Sequence, residues 1–241
     1  MAENTSTQQE ASNPDSNNLG ASNDQSPLKF LVVTSQLFEE NCYIVHREAS
    51  TACVVVDPGL EPDRIITVIE EAGLEPEAIL LTHGHADHIA GNAGLLERWP
   101  GLPLIVGKGD ATKLLDPVTN LSEGFGLGFT SPPATGTVRE GDTLSYAGIA
   151  FEVLDTPGHS SGHVVFVARD SQQVLILGGD VLFAGSVGRT DFPDSDPAAL
   201  FYSIREKLYK LPDEALVLPG HGPTTTIGRE KRTNPFVGAV E

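Results

Sequence analysis

Three of the chain's seven histidines lie within six residues, in Thr82-His83-Gly84-His85-Ala86-Asp87-His88. The run before them, Ala78–Thr82, is short and apolar and reads as a buried strand. The stretch that follows, Asp87–Trp99, reads as a helix broken by Pro100-Gly101. Alternate side chains share a face of a strand, so His83 and His85 point the same way. Asp87 and His88 then sit on the first turn of the helix. Such a strand-to-helix turn aims four metal-binding groups at one small volume. Imidazole and carboxylate together suit zinc, iron or manganese. A single divalent ion does not need all four groups from one segment.

Three further pieces have the same character. His159 lies in Thr156-Pro157-Gly158-His159-Ser160-Ser161-Gly162-His163, Asp180 in Gly178-Gly179-Asp180, and His221 in Pro219-Gly220-His221-Gly222-Pro223. Each follows apolar residues and sits beside glycine, as expected where a strand ends and backbone passes close to something else. Taken singly, His159 and His221 read as hydrogen-bonded or surface residues, and Asp180 as a turn or cap. As a set, five histidines and two aspartates make two metal sites if one carboxylate bridges. His46 stands outside any motif. His163 reads as strand packing or as a support for a ligand. Asp57, in Val56-Asp57-Pro58-Gly59, reads either as a turn cap or as a carboxylate that orients a ligand histidine.

Around these motifs the chain reads as many strands punctuated by helices, without strict alternation. Strands are expected at Leu28–Thr34, Asn41–His46, Thr51–Asp57, Pro103–Val106, Ile149–Leu154, His163–Ala168 and Val174–Leu177. Helices are expected at Asp63–Ala72, stopped by Gly73, at Ala198–Lys210 and near Thr226–Arg232. This pattern suggests mixed sheets with helices outside them and takes the fold no further. Residues 1–27 are polar, lack Lys and Arg, and have no apolar block, so a disordered tail without signal-peptide features is expected there. One domain is expected over 28–241. The net charge of −18 disfavours nucleic acid, and no run is apolar enough to span a bilayer. Cys42 and Cys53 both lie in apolar runs and are expected as buried free thiols.

The order His-X-His-X-Asp-His, then a distant His, Asp and His, resembles the signature of the metallo-β-lactamase superfamily. All seven positions match, and the resemblance covers about residues 28–241. It implies an α/β (α+β) chain folded as an αββα sandwich, with two mixed β-sheets flanked by helices and the site at one edge of the sheets. It also implies that His83, His85 and His159 hold a first metal and Asp87, His88 and His221 a second, with Asp180 bridging. Two divalent ions, zinc or else iron or manganese, would then share a hydroxide that attacks a carbonyl or phosphoryl centre. Asp87 would have a catalytic task as well, orienting that nucleophile.

Finer features separate the branches of the superfamily. β-Lactamases usually carry Cys in place of Asp180, so this chain does not resemble them. The runs Gly179–Ser186 and Val187–Phe192 look like glyoxalase II and its relatives. The ending from Pro219 to Phe236 resembles a compact, single-domain glyoxalase II-like subgroup. The implied reaction is hydrolysis of S-D-lactoylglutathione to D-lactate and glutathione. Three departures stand out: no C-terminal helical domain is expected, Pro223 replaces an aromatic residue, and Arg189 replaces a Lys that grips a glutathione carboxylate. Arg189 is therefore the expected substrate-binding residue, with a salt bridge to Asp191 or Asp194 as its other reading. A rival resemblance is a mononuclear iron persulfide dioxygenase, which shares the Gly188-Arg189-Thr190-Asp191-Phe192 run. A more distant one is a non-catalytic metal-binding protein that retains the fold. A cytoplasmic enzyme is expected, acting on a small thioester, with no nucleic-acid, membrane or protein partner.

Overall fold

The computed structural model describes residues 26–238. Most of the expected tail, 1–25, lies outside them. Ser26 and Pro27 already make contacts: Arg47 donates to the Ser26 carbonyl at 2.7 Å and the Glu48 amide to the Pro27 carbonyl at 2.9 Å.

The first sheet has six strands in sequence order: β1 (Leu28–Thr34), β2 (Asn41–Arg47), β3 (Ala52–Val56), β4 (Glu75–Leu81), β5 (Leu104–Gly107) and β6 (Gly136–Val138). β1, β2 and β3 pair antiparallel; β3 to β6 pair parallel. Parallel neighbours need crossover connections. Here they carry α1 (Pro62–Glu71) between β3 and β4, and α2 (Ala86–Ile89) and α3 (Asn92–Arg98) between β4 and β5.

The second sheet starts with the meander β7 (Thr143–Tyr146), β8 (Ile149–Asp155), β9 (Val164–Arg169) and β10 (Val174–Gly179). A two-stranded hairpin, β11 (Leu182–Phe183) and β12 (Ser186–Val187), follows. A helical run then leads to β13 (Leu216–Pro219), parallel to β10, and to the edge strand β14 (Thr225–Thr226). That run begins as α4 (Pro197–Tyr202), widens to π spacing over Ser203–Lys207 and tightens over Leu208–Lys210. The last helix is α5 (Ile227–Thr233), capped by the Thr226 hydroxyl, which accepts from the Arg229 amide at 3.3 Å.

Burial explains why the strands read as unbroken apolar runs. On β3, Val54 and Val56 face the second sheet, while Cys53 and Val55 face α1. On β9, Val164, Phe166 and Ala168 face the first sheet, while Val165 and Val167 face the α4 side. Each sheet is thus covered on both faces. The expected αββα sandwich of two mixed sheets is the fold observed. Cys42 and Cys53 are buried free thiols in the layer under α1.

One expected element is corrected. The helix expected over Asp87–Trp99 is two helices, α2 and α3, interrupted at Ala90-Gly91. The Gly91 amide donates to the Pro58 carbonyl at 2.7 Å, so the chain turns there to dock on the loop after β3. Among the described residues no helix is long and apolar enough to cross a membrane.

Candidate metal centre

Five of the seven candidate ligands follow the carboxyl ends of strands: His83 and His85 after β4, His159 after β8, Asp180 after β10 and His221 after β13. The two sheets are stitched together at this same edge. The Val164 amide donates to the Thr82 carbonyl at 2.8 Å, and the Asn41 amide to the Gly220 carbonyl at 2.7 Å. His85 is the N-cap residue of α2, which puts Asp87 and His88 on its first turn as expected.

Close backbone approach is visible at two glycines. A Cβ on Gly220 would collide with Asp180 Oδ1 and come within 2.6 Å of His88. A Cβ on Gly179 would strike the Thr82 hydroxyl and lie 2.7 Å from His163 Nε2, and Gly179 also holds a φ of +47°. These two residues let Asp180 and His221 enter the cluster.

Among the described residues three groups could hold a metal ion: His83, His85 and His159; His83, His88 and Asp180; and Asp87, His88 and His221. Within each group the donor atoms lie within 4.8 Å of one another. Asp180 stands between the two ends of the cluster. Its Oδ2 is 3.5 Å from His159 Nε2 and 3.5 Å from His221 Nε2, and its Oδ1 is 3.5 Å from His88 Nε2. Asp87 Oδ2 is 3.2 Å from His221 Nε2.

The outer ring nitrogens are held by the protein. Those of His83, His88 and His159 meet Thr82 Oγ1 at 3.0 Å, Asp57 Oδ2 at 3.1 Å and the Arg189 carbonyl at 2.9 Å. The inner atoms are not. His83 Nε2, His85 Nε2, His88 Nε2 and Asp180 Oδ1 are buried with no hydrogen-bond partner among the described residues. His85 Nδ1 also lies 3.0 Å from His159 Nε2. Buried polar atoms without partners are costly, and a cluster of them converging on one point fits cations. The site is thus consistent with a binuclear metal centre.

Electrostatics follows from this crowding. Burial, reinforced by neighbouring imidazoles, pushes His83 well below the usual histidine range and His85 down to about 3. Both are thereby neutral, the form in which imidazole binds metal. Burial also opposes charge on His88, but Asp87 and Asp180 outweigh it and raise that ring. Asp180 is held below the carboxylate range: burial pushes it up, and His88, His221 and His159 pull it further down.

The observation that decides the family is the agreement between this cluster and the whole-chain pattern. The profile described as the Metallo-beta-lactamase superfamily matches residues 36–221. The chain belongs to this superfamily. It is 38% identical over 211 residues to "Hydroxyacylglutathione hydrolase GloC" of Haemophilus influenzae, covering 86% of this chain and 97% of that one. Contrary to the expectation drawn from Asp180, it resembles a solved structure named as a β-lactamase, the BLEG-1 B3 metallo-beta-lactamase, with a TM-score of 0.82 and 33% identity over 88% of this chain and 100% of that one. It also resembles TTHA1623 in a di-iron-bound form, with a TM-score of 0.73 and 42% identity over 86% of this chain and 99% of that one.

The candidate ligands are surrounded by supporting side chains, of which Asp57 and His163 were open to that reading in the sequence. Asp57 accepts from the Thr82 amide and hydroxyl, both at 2.7 Å, as well as meeting His88. His163 Nε2 accepts from the Asp180 amide at 3.1 Å, which leaves Nδ1–H to donate to Thr156 Oγ1 at 2.9 Å. His46 lies on β2, away from the cluster, against the Arg47 carbonyl.

Other supports carry no legible signal. Asp110, fully buried, accepts from the Gly84 amide, the Gly162 amide and the Ser160 hydroxyl. Lys113 reaches Asp110 at 3.0 Å and also meets Ser160 and Asp194. This network braces the loops that carry His83, His85 and His159. Glu40 is buried without a partner for either carboxylate oxygen among the described residues, and burial raises its pKa well above the usual value. In sequence these belong to no motif.

The cluster opens into a cavity of about 350 Å³ lined by Phe38, Phe125, Phe183 and Phe192, with His85, Asp87, His159, Asp180 and His221 at its floor. Arg189 is on its wall. The guanidinium is already engaged, with two bonds of 2.7 Å to Asp191 and the Phe192 ring 4.4 Å away. Of its two expected salt-bridge partners, Asp191 is the one used, while Asp194 pairs with Lys113.

Proposed function

We propose that the chain is a thioester hydrolase dependent on two divalent ions, zinc in the first instance and iron or manganese as alternatives. Its proposed reaction is cleavage of S-D-lactoylglutathione to D-lactate and glutathione. The observation that carries this reading is the set of unpartnered buried donors, three imidazole nitrogens and one carboxylate oxygen, converging on the floor of an open cavity. The 38% identity to a hydroxyacylglutathione hydrolase supports the choice of substrate.

In this reading His83, His85 and His159 would hold one ion and Asp87, His88 and His221 the other, with Asp180 as a shared ligand. When bound, such a pair lowers the pKa of water towards neutrality and polarises a carbonyl. The protein's own groups do the rest. Asp87 faces the cavity and can accept a hydrogen bond from the attacking water, orient it and take its proton. The imidazoles are fixed by their outer hydrogen bonds, so little reorganisation accompanies the reaction. Phe183, Phe192 and Phe38 exclude bulk water around the carbonyl. Water adds to the thioester carbon, the C–S bond breaks, and the thiol leaves with the proton that Asp87 took. Arg189 sits at the rim with an exposed partner. An exposed ion pair is weak, so a substrate carboxylate can compete for the guanidinium.

The test is a thioester panel with a β-lactam included, run beside an oxygen-uptake assay with glutathione persulfide. Thioester cleavage without oxygen consumption is expected. Oxygen uptake that strictly requires iron, with no thioester cleavage, would replace the proposal with a dioxygenase. Hydrolysis of the β-lactam alone would replace it with a lactamase.

A further inference from the structure

The cavity at the cluster does not end there. Its wall of Leu121, Phe125, Arg189 and Phe192 is shared with a second hollow that continues outwards past Val118. The path is mostly hydrocarbon. Phe38 packs edge-on against Phe125 with ring centroids 5.1 Å apart, and Phe192 stands edge-on to His85 at 5.1 Å. Phe125 is 49% exposed and Val118 61% exposed, a large apolar surface to leave in water beside a polar centre.

Polar groups along the path are few. Among the described residues lining the two hollows, Arg189 is the one Lys or Arg, and Glu123 the one carboxylate outside the cluster. Ser186 supplies a hydroxyl. The Arg189 guanidinium pairs with the exposed Asp191, where a glutathione carboxylate can compete for it, and it leaves the Phe125 and Phe192 rings as the apolar surface of the path. A small hydroxylated acyl group such as lactoyl uses little of this surface. A ligand site that is mainly aromatic, with a few convergent polar groups at one end, suits a ligand with one reactive polar end and an apolar tail.

We propose that the groove is an acyl-chain subsite: the preferred thioesters carry an apolar acyl group longer than lactoyl, with the carbonyl at the metal cluster and the tail along Phe125 and Phe192 towards Val118. This rests on the thioester-hydrolase reading above. S-D-Lactoylglutathione is then a short and slow member of the substrate series.

The experiment compares acetyl, lactoyl, butyryl and hexanoyl thioesters of glutathione. In parallel, calorimetry measures the binding of the uncleavable thioethers S-methyl-, S-butyl- and S-hexylglutathione. kcat/KM is expected to rise about threefold per added methylene, the gain of burying most of each one. S-Hexylglutathione, with five more methylenes, should bind about 200-fold tighter than S-methylglutathione for the same reason. Phe125→Ala and, independently, Val118→Ser should flatten both series. Flat series in the wild type, or slopes untouched by both variants, would overturn the subsite. If Phe125→Ala instead dissociates an oligomer while the wild-type series are flat, the lip is a contact between copies and the proposal fails. Length-dependent thioether binding with no thioester cleaved at any length would keep the groove and remove the reaction. Neither binding trend nor cleavage would remove both.

Discussion

The Asp57 carboxylate lies 3.1 Å from His88 Nδ1 and simultaneously accepts two hydrogen bonds from Thr82. It thus connects the end of β4 to the first turn of α2 and fixes the His88 ring, whose other nitrogen faces Asp180. Asp57 adopts φ +50°, a conformation that Asn tolerates well. Asp57→Asn should therefore fold and yet hold its second ion about 10- to 100-fold more weakly. Competition with a chelator reads this, and unchanged affinity would show that the carboxylate does not tune His88.

The position of Asp180 between the two ends of the cluster predicts different outcomes for two ligand variants. Asp180→Ala should weaken both ions. His221→Ala should leave about one tightly held ion, since His221 Nε2 stands at one end of the cluster beside Asp87, whereas Asp180 Oδ2 is 3.5 Å from both His159 and His221. Elemental analysis after dialysis separates them. Equal loss in the two variants would contradict the assignment.

Lys113 is the cation of the buried network behind the cluster. Lys113→Met would leave the Asp110 and Asp194 carboxylates without their charge partner. The cost should be about 3 kcal/mol, which lowers Tm by about 6–12 °C in a chain of this size. Calorimetry checks it. A change under about 1 °C would mean that the backbone amides on Asp110 suffice.

The same network gives a pH dependence. Burial pushes Asp194 up, but the Lys113 ammonium and the Ser161 amide hold it down to about 2. Its folded pKa is below its ordinary value. The linked stability is therefore present above about pH 4 and lost as pH falls towards 2. Asp194 is partly exposed, so the linked amount is on the order of 1 kcal/mol after solvent screening. Asp194→Asn should melt lower than wild type at pH 6, and the gap should close near pH 2. A gap constant with pH would contradict the linkage.

Legibility in the sequence followed the chemistry of each position. Singly, His159, Asp180 and His221 had ordinary readings; the seven candidates stood out as a set in the order the family resemblance implies, and the structure brings all seven together. Strands buried on both faces were visible as apolar runs. The αββα arrangement came from the family resemblance, since periodicity does not say which sheets face each other. The break at Ala90-Gly91 was hidden because its cause, the Pro58 carbonyl, is distant in sequence. β6, β11, β12 and β14 span three residues or fewer, too short for a period of two to register. Asp110, Lys113 and Glu40 belong to no motif in the sequence, and long-range packing buries them.

The central claim is that catalysis needs both metal positions. The direct measurement is S-D-lactoylglutathione hydrolysis by metal-free protein titrated with zinc under anaerobic conditions. Activity should climb to a plateau at about two ions per chain, as a two-ion mechanism requires. A plateau at one ion per chain, or no hydrolysis at any loading, would contradict it.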